Sequence, residues 1–188
     1  MKRSVSKSIA SNRIAIKRIV ILLGCALLTA CLGKPEGVTP VATLDQQRYL
    51  GTWYEVARLD HSFERGLSNV TADYSVRDDG GLRVINRGYS AEEGAWQQAE
   101  GKAYTIDNAQ PGHLKVSFFG PFYGSYIVFE LDDNYQYAFV SGNTSNYLWL
   151  LARTPTVSER VKQRFLQSAE ALGFNVDELI FVDQTLNL

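Results

Sequence analysis

The chain has two cysteines, Cys25 and Cys31, and none from residue 32 onward. A domain built from that stretch holds no disulfide, no thiolate nucleophile and no cysteine-ligated metal, so a hydrophobic core must stabilise it. Histidine is almost as scarce. His61 and His113 are the two, and the strand order derived below puts them at opposite ends of the fold, which excludes a shared zinc site or a catalytic dyad. Gly66-Leu67-Ser68-Asn69-Val70 lacks the closing glycine of a nucleophile elbow. Asp132-Asp133-Asn134 lacks the further spaced ligands of a calcium loop and reads as turn chemistry. No residue presents itself as an interior haem ligand. These absences argue against an enzyme and against a metal or other cofactor. The apolar run at residues 19–28 is too short for a comfortable membrane span.

What the N-terminus does have is an export signal. Lys2, Arg3, Lys7, Arg13, Lys17 and Arg18 precede the apolar run, and small residues follow it. Leu28-Thr29-Ala30-Cys31 resembles the bacterial lipobox. That resemblance implies removal of residues 1–30, a thioether-linked diacylglycerol on Cys31 and acylation of the new amino group. Leu32, where an inner-membrane protein would carry Asp, implies sorting to the outer membrane, with the domain on its periplasmic face. Acyl chains anchor through roughly 0.8 kcal/mol per buried methylene. The processed chain keeps 13 basic against 20 acidic residues. A protein that anionic is a poor ligand for DNA or RNA phosphates, and anionic lipid would not hold it by charge. Residues 31–43, with Gly33, Pro35, Gly37 and Pro40, read as a lipidated tether of some tens of ångströms when extended. Residues 44–188 form the domain.

Between residues 51 and 153 the pattern is of short strands broken by turn signals. The strands fall at about 52–59, 69–77, 81–89, 95–106, 113–118, 125–131, 135–141 and 146–153. Glycine, aspartate and asparagine clusters close the connections. Eight strands on short hairpins make an antiparallel meander, and closing it removes its exposed edges. The period then changes. Ser158 or Thr156 caps a helix with Val161, Phe165, Leu166, Ala169 and Leu172 on one face, Gly173 ends it, and residues 180–182 add a short strand. The predicted fold is all-β, an eight-stranded antiparallel up-and-down barrel with one C-terminal helix packed outside.

Gly51-Thr52-Trp53-Tyr54-Glu55 matches the G-x-W signature that opens the first strand of lipocalins. Arg153, about a hundred residues later at the end of the eighth strand, matches the arginine that stacks on that tryptophan. With the lipobox, "VINRGY" and "SFFGPFYG", the chain resembles a bacterial lipocalin of the outer-membrane lipoprotein type over residues 31 to about 185. Ser145-Asn146-Tyr147 departs from the family's Thr-Asp-Tyr, so the hydrogen bonds of that turn are expected to differ.

The resemblance implies a closed end built from Gly51, Trp53 and Arg153. Strand order then alternates. Turns near 60–68, 90–94, 119–124 and 142–146 fall at the mouth, and those near 78–81, 107–112 and 132–134 at the base. "FFGPFYG" is thus mouth, where Phe119, Phe122 and Tyr123 serve as a membrane contact, a partner surface that includes a homodimer, or a simple lid. Strand alternation from an inward Trp53 puts Glu55, Ala57 and Leu59 on the inner face, and family register puts Tyr74, Val84, Asn86, Val116, Phe118, Ile127, Phe129, Tyr147 and Trp149 inward, lining a cavity, with Ala72, Ala99 and Leu151 beside them. Such a cavity suits an acyl chain, its polar head meeting Arg58, His61, Arg65 or Arg87 near the mouth. The ligand class implied is a fatty acid or lysophospholipid, in envelope maintenance, lipid storage or transport. The competing reading is a structural or assembly lipoprotein whose barrel holds nothing.

Overall fold

A computed structural model describes residues 32–187. The expected signal peptide and the acceptor Cys31 lie outside the described residues. A one-turn helix, α1 (Gln46–Tyr49), is capped by Asp45, whose carboxylate accepts from the Gln47 and Arg48 amides. Eight antiparallel strands follow: β1 (Gly51–Leu59), β2 (Leu67–Val76), β3 (Leu82–Ser90), β4 (Ala95–Thr105), β5 (His113–Ser117), β6 (Gly124–Leu131), β7 (Tyr137–Ser141) and β8 (Leu148–Ala152). Each pairs with the next, and β1 pairs with both β8 and β2, so the sheet closes. The helix α2 (Glu159–Ala171) has Ser158 as its N-cap, as the sequence allowed, and Gly173 past its end has φ +77°. A three-residue strand, β9 (Leu179–Phe181), lies against β1.

Two apolar clusters divide the core. One fills the lower barrel around Trp53, Leu82, Val84, Leu114, Val128, Val140 and Leu151. The other lies outside it, where Phe165 and Ala169 of α2 pack on Val56, Ala57, Ile127, Phe139 and Leu150. Phe165 is fully buried, which contributes about 1.5–3 kcal/mol. Strands under α2 are therefore apolar on both faces.

The seam between β1 and β2 is irregular. They pair only over Gly51–Tyr54 against Thr71–Tyr74. Beyond that, β1 bulges between Glu55 and Ala57 against β8, and β2 carries its own irregularity between Ser68 and Thr71. Asn69 there has φ +54°. The gap is closed by a distant segment. Val182 N donates to Val56 O at 3.0 Å and Asn69 N to Asp183 O at 2.6 Å. Gln184 Nε2 donates to Glu55 O at 2.7 Å and Val70 O at 2.9 Å.

The tether expected at residues 31–43 is not extended. Pro35, Val38 and Pro40 are buried, Val41 N donates to Val128 O at 2.9 Å, and Ser125 Oγ donates to Gly33 O at 2.7 Å. Prolines have no amide proton to satisfy, so the segment packs flat on β5 and β6. The turn expected to be altered at Ser145-Asn146-Tyr147 is held by Thr144, which receives the Asn146 amide at Oγ1 (3.4 Å) and the Tyr147 amide at its carbonyl (3.2 Å).

Candidate functional site

The closed end is built as the residues implied. The Arg153 guanidinium lies 3.9 Å over the Trp53 ring, an arrangement that stabilises by up to about 2 kcal/mol when desolvated. Its nitrogens donate to Arg48 O (2.7 Å), Thr52 O (2.9 Å) and Tyr135 O (3.3 Å), tying α1, β1 and the β6–β7 turn together. Trp53 Nε1 donates to Tyr49 O at 2.9 Å. Gly51 has φ +86°, a left-handed conformation that favours glycine.

Above this plug is a cavity of about 560 Å³. Tyr74, Val84, Asn86, Val116, Phe118, Tyr147 and Trp149 line it, with Ala72, Ala99 and Leu151. Asn86 and Ser117 are among its lining residues, and Asn86 Oδ1 and Ser117 Oγ are buried with no protein partner.

Four residues of the expected lining are elsewhere. Ala57 and Leu59 belong to the outer cluster beneath α2, because the β1 bulge after Glu55 reverses which side chains face inward. Ile127 also belongs to that outer cluster, with Phe129 packed against it. Tyr126 and Val128 take the inward positions on β6. A strand covered on both faces has no polar alternation from which to read its phase.

Arg58 is not a head-group cation at the mouth. The same bulge turns it inward, where it is 2% exposed. Its Nη1 lies 2.7 Å from Glu55 Oε1, and its Nη2 donates to Glu64 O at 2.8 Å and Leu67 O at 3.1 Å. His61 is also buried, its Nε2 3.0 Å from Glu64 Oε2, its ring 5.2 Å edge-on from Trp149. Trp149 Nε1 donates to Glu64 Oε2 at 3.2 Å. The result is an ionic cluster holding the β1–β2 loop into the cavity wall. Burial pushes the Glu55 carboxyl well above its usual range, and the neighbouring Glu64 adds to this against Arg58. Burial also pushes Glu64 up, but the His61 ring and the hydrogen bonds from Glu55 and Trp149 outweigh it and hold this carboxyl below its usual range. Glu64 had no signal in sequence, being one charge in a polar loop.

At the rim, Arg65 is exposed and paired with Asp60 at 2.8 Å. Arg87 is exposed, borders the cavity and stacks 3.9 Å from the Trp96 ring. Phe119 and Phe122 are 71% and 75% exposed, and Phe63 joins them at 65%. Tyr123 is half-buried, with Lys115 Nζ 5.1 Å from its ring. Together Phe63, Phe119 and Phe122 make an exposed apolar patch at the mouth. His113 sits on the outer wall, Nε2 3.2 Å from Ser125 Oγ, far in sequence and fold from His61. Among the described residues no group of histidine, cysteine and carboxylate side chains is arranged to hold a metal.

The lower cavity is polar in one place that the sequence reading missed. Tyr74 Oη donates to Tyr126 Oη at 2.9 Å, and Tyr126 Oη is 2.8 Å from Tyr49 Oη. Burial, first of all, raises the pKa of all three phenols.

Comparison with known proteins agrees with this architecture. A family model described as a lipocalin-like domain matches residues 44–184. The protein named Outer membrane lipoprotein Blc in Vibrio cholerae serotype O1 is 58% identical over 170 residues, covering 90% of this chain and 99% of that one. Its namesake in Escherichia coli strain K12 is 56% identical over 160 residues, 84% of this chain and 90% of that one. Among solved structures, insecticyanin from the tobacco hornworm Manduca sexta superposes with a TM-score of 0.64 at 22% identity, covering 80% of this chain and 86% of that one. That likeness concerns the fold alone.

Proposed function

This chain belongs to the lipocalin family, and from that premise we propose that its barrel holds the single hydrocarbon chain of a fatty acid or lysophospholipid at the outer membrane. Its localisation is that of the relatives named outer membrane lipoproteins, a lipid-anchored protein with Cys31 as the acylated residue. It acts as a binding protein for small hydrophobic molecules.

The observation that carries this reading is the cavity. Its volume of about 560 Å³ falls in the range of small-molecule sites, and its walls are apolar with a few polar atoms between them. Removing about a dozen methylenes from water contributes on the order of 10 kcal/mol before binding costs. The hydrocarbon lies between Val84, Val116, Phe118 and Leu151. The head group stays near the rim, where Arg87 can meet a carboxylate or phosphate. Arg58 and His61 have no part in that contact, since both side chains are buried against Glu55 and Glu64.

The test is native mass spectrometry of the delipidated protein with added oleic acid and, separately, lysophosphatidylethanolamine. A one-to-one adduct is expected with each, together with quenching of Trp149 fluorescence on titration. Absence of any adduct would return the barrel to a scaffold role. Cys31→Ala is expected to release the protein from the membrane fraction while leaving the adduct in place.

A further inference from the structure

The floor of the cavity carries one more hydroxyl proton than it has internal acceptors in use. Tyr49, Tyr74 and Tyr126 each bring one phenolic proton, and the trio makes two hydrogen bonds among its own oxygens, at 2.9 and 2.8 Å. Neither of those contacts nor any other side-chain bond of the three supplies a further acceptor for a hydroxyl of Tyr74 or Tyr126; Tyr135 Oη serves a separate site at the Asp45 amide. All three phenols remain protonated at neutral pH, since burial raises each of them. The third proton is therefore always present. A buried donor left without an acceptor is unfavourable, so its position has consequences.

Of the three rings, Tyr74 and Tyr126 border the cavity. Tyr49 lies behind them, its ring 4.7 Å from Trp53 and 5.3 Å from Tyr74. Tyr126 is the middle member, within reach of both others. Either Tyr49 or Tyr126 can be the donor of their shared bond; when Tyr74 and Tyr49 both donate to Tyr126, its own proton is the spare one, on a ring that borders the cavity. A hydrocarbon end set there buries that proton without a partner. An oxygen atom set there takes it.

We propose that the floor formed by Tyr126, supported by Tyr74 and Tyr49, is a binding subsite for a neutral oxygen at the far end of the bound chain. The ligand class is a single-chain amphiphile with a hydroxyl or carbonyl near its distal end as well as a polar head at the mouth. A carboxylate does not suit the floor. Arg153 is stacked on Trp53 with its nitrogens engaged by three carbonyls, and one phenol donor is too little for a buried charge. The inference rests on the proposed acyl-chain occupancy of the cavity and adds the chemistry of its deep end.

The test compares dodecanoic acid with 12-hydroxydodecanoic acid on the full acylated chain in lipid nanodiscs, by competition against a fluorescent fatty acid. Partition of each acid into the disc is common to all variants and cancels in the ratio of affinities. Tyr74→Phe/Tyr126→Phe, which removes both phenols that border the cavity, is expected to shift that ratio against the hydroxy acid by on the order of tenfold relative to wild type. Tyr49→Phe, which removes a phenol that does not reach the cavity, is expected to leave the wild-type ratio. Near-ultraviolet circular dichroism of both variants identifies any loss of fold, and wild-type binding of 12-methoxydodecanoic acid, whose ether accepts but cannot donate, provides a second measurement with the same expected preference over dodecanoic acid. An unchanged ratio in a folded Tyr74→Phe/Tyr126→Phe, or an equal shift in Tyr49→Phe, overturns the subsite. If neither acid binds the wild type, it is the acyl-chain reading that fails.

Discussion

Replacing Gln184 by leucine tests how the barrel is closed. Gln184 is 5% exposed, and its amide donates to Glu55 O and Val70 O where β1 and β2 have ceased to pair. Leucine keeps most of the volume and removes both donors, and the Asn187 amide loses its acceptor at Gln184 Oε1. Each buried carbonyl left without a partner costs about 1–3 kcal/mol, so the pair costs about 2–4 kcal/mol once some relaxation is allowed. For a domain of this size 1 kcal/mol shifts the melting temperature by roughly 2–4 °C, giving an expected fall of about 5–15 °C. Differential scanning calorimetry of the variant beside Gln167→Leu, an exposed position on α2, reads the effect against a surface control. A fall within about 2 °C of that control would mean that the seam does not depend on this side chain. Because Glu55 and Val70 both border the cavity, the same variant should also release bound fatty acid faster.

Three further outcomes are expected. Ala72→Trp places an indole into the cavity from β2, and the fatty-acid adduct should fall at least tenfold in affinity with the circular dichroism spectrum kept, as measured by native mass spectrometry. Arg153→Lys loses the fork that reaches three carbonyls; since Arg153 is only half-buried the cost is about 1–2 kcal/mol, seen as a lower urea midpoint with ligand affinity unchanged. Glu55→Gln tests the ionic cluster through pH. A carboxyl whose folded pKa is raised gives stability that is complete below its unfolded value of about 4.5 and is lost as pH rises toward the folded value. Glu64, held low, behaves oppositely, its contribution being lost as pH falls below about 4.5. The melting temperature of Glu55→Gln relative to wild type should therefore rise as pH increases above about 4.5; a constant difference would show that the Glu55 pKa is not raised by folding.

The barrel was legible because its signals are local. Turn residues mark where strands stop, and the eight observed strands begin and end within about two residues of the expected positions. Trp53 and Arg153 carry distinctive chemistry at a spacing that fixes both ends of the meander. The inner face was legible where the outer face is wet, as at Tyr74, Val84 and Asn86 on β2 and β3. It was not legible at Ile127 and Phe129, where α2 makes the outside as apolar as the inside. At Ala57, Leu59 and Arg58 the obstacle was a bulge, set by long-range pairing with β8 and β9 that no neighbouring residue announces. The Tyr49–Tyr126–Tyr74 trio spans three elements, and its members look like ordinary barrel aromatics when taken singly. The packing of residues 32–43 was hidden by prolines and glycines, which suit both a free linker and a strap laid on a surface.

The indole and guanidinium at the base have a consequence for traffic. A cylinder stoppered at one end is a cup rather than a conduit, so a lipid held as proposed would leave by the opening through which it entered. Nothing in such a vessel gives a lipid a forward direction. On that reading, whichever acceptor next met the rim would determine where the contents go.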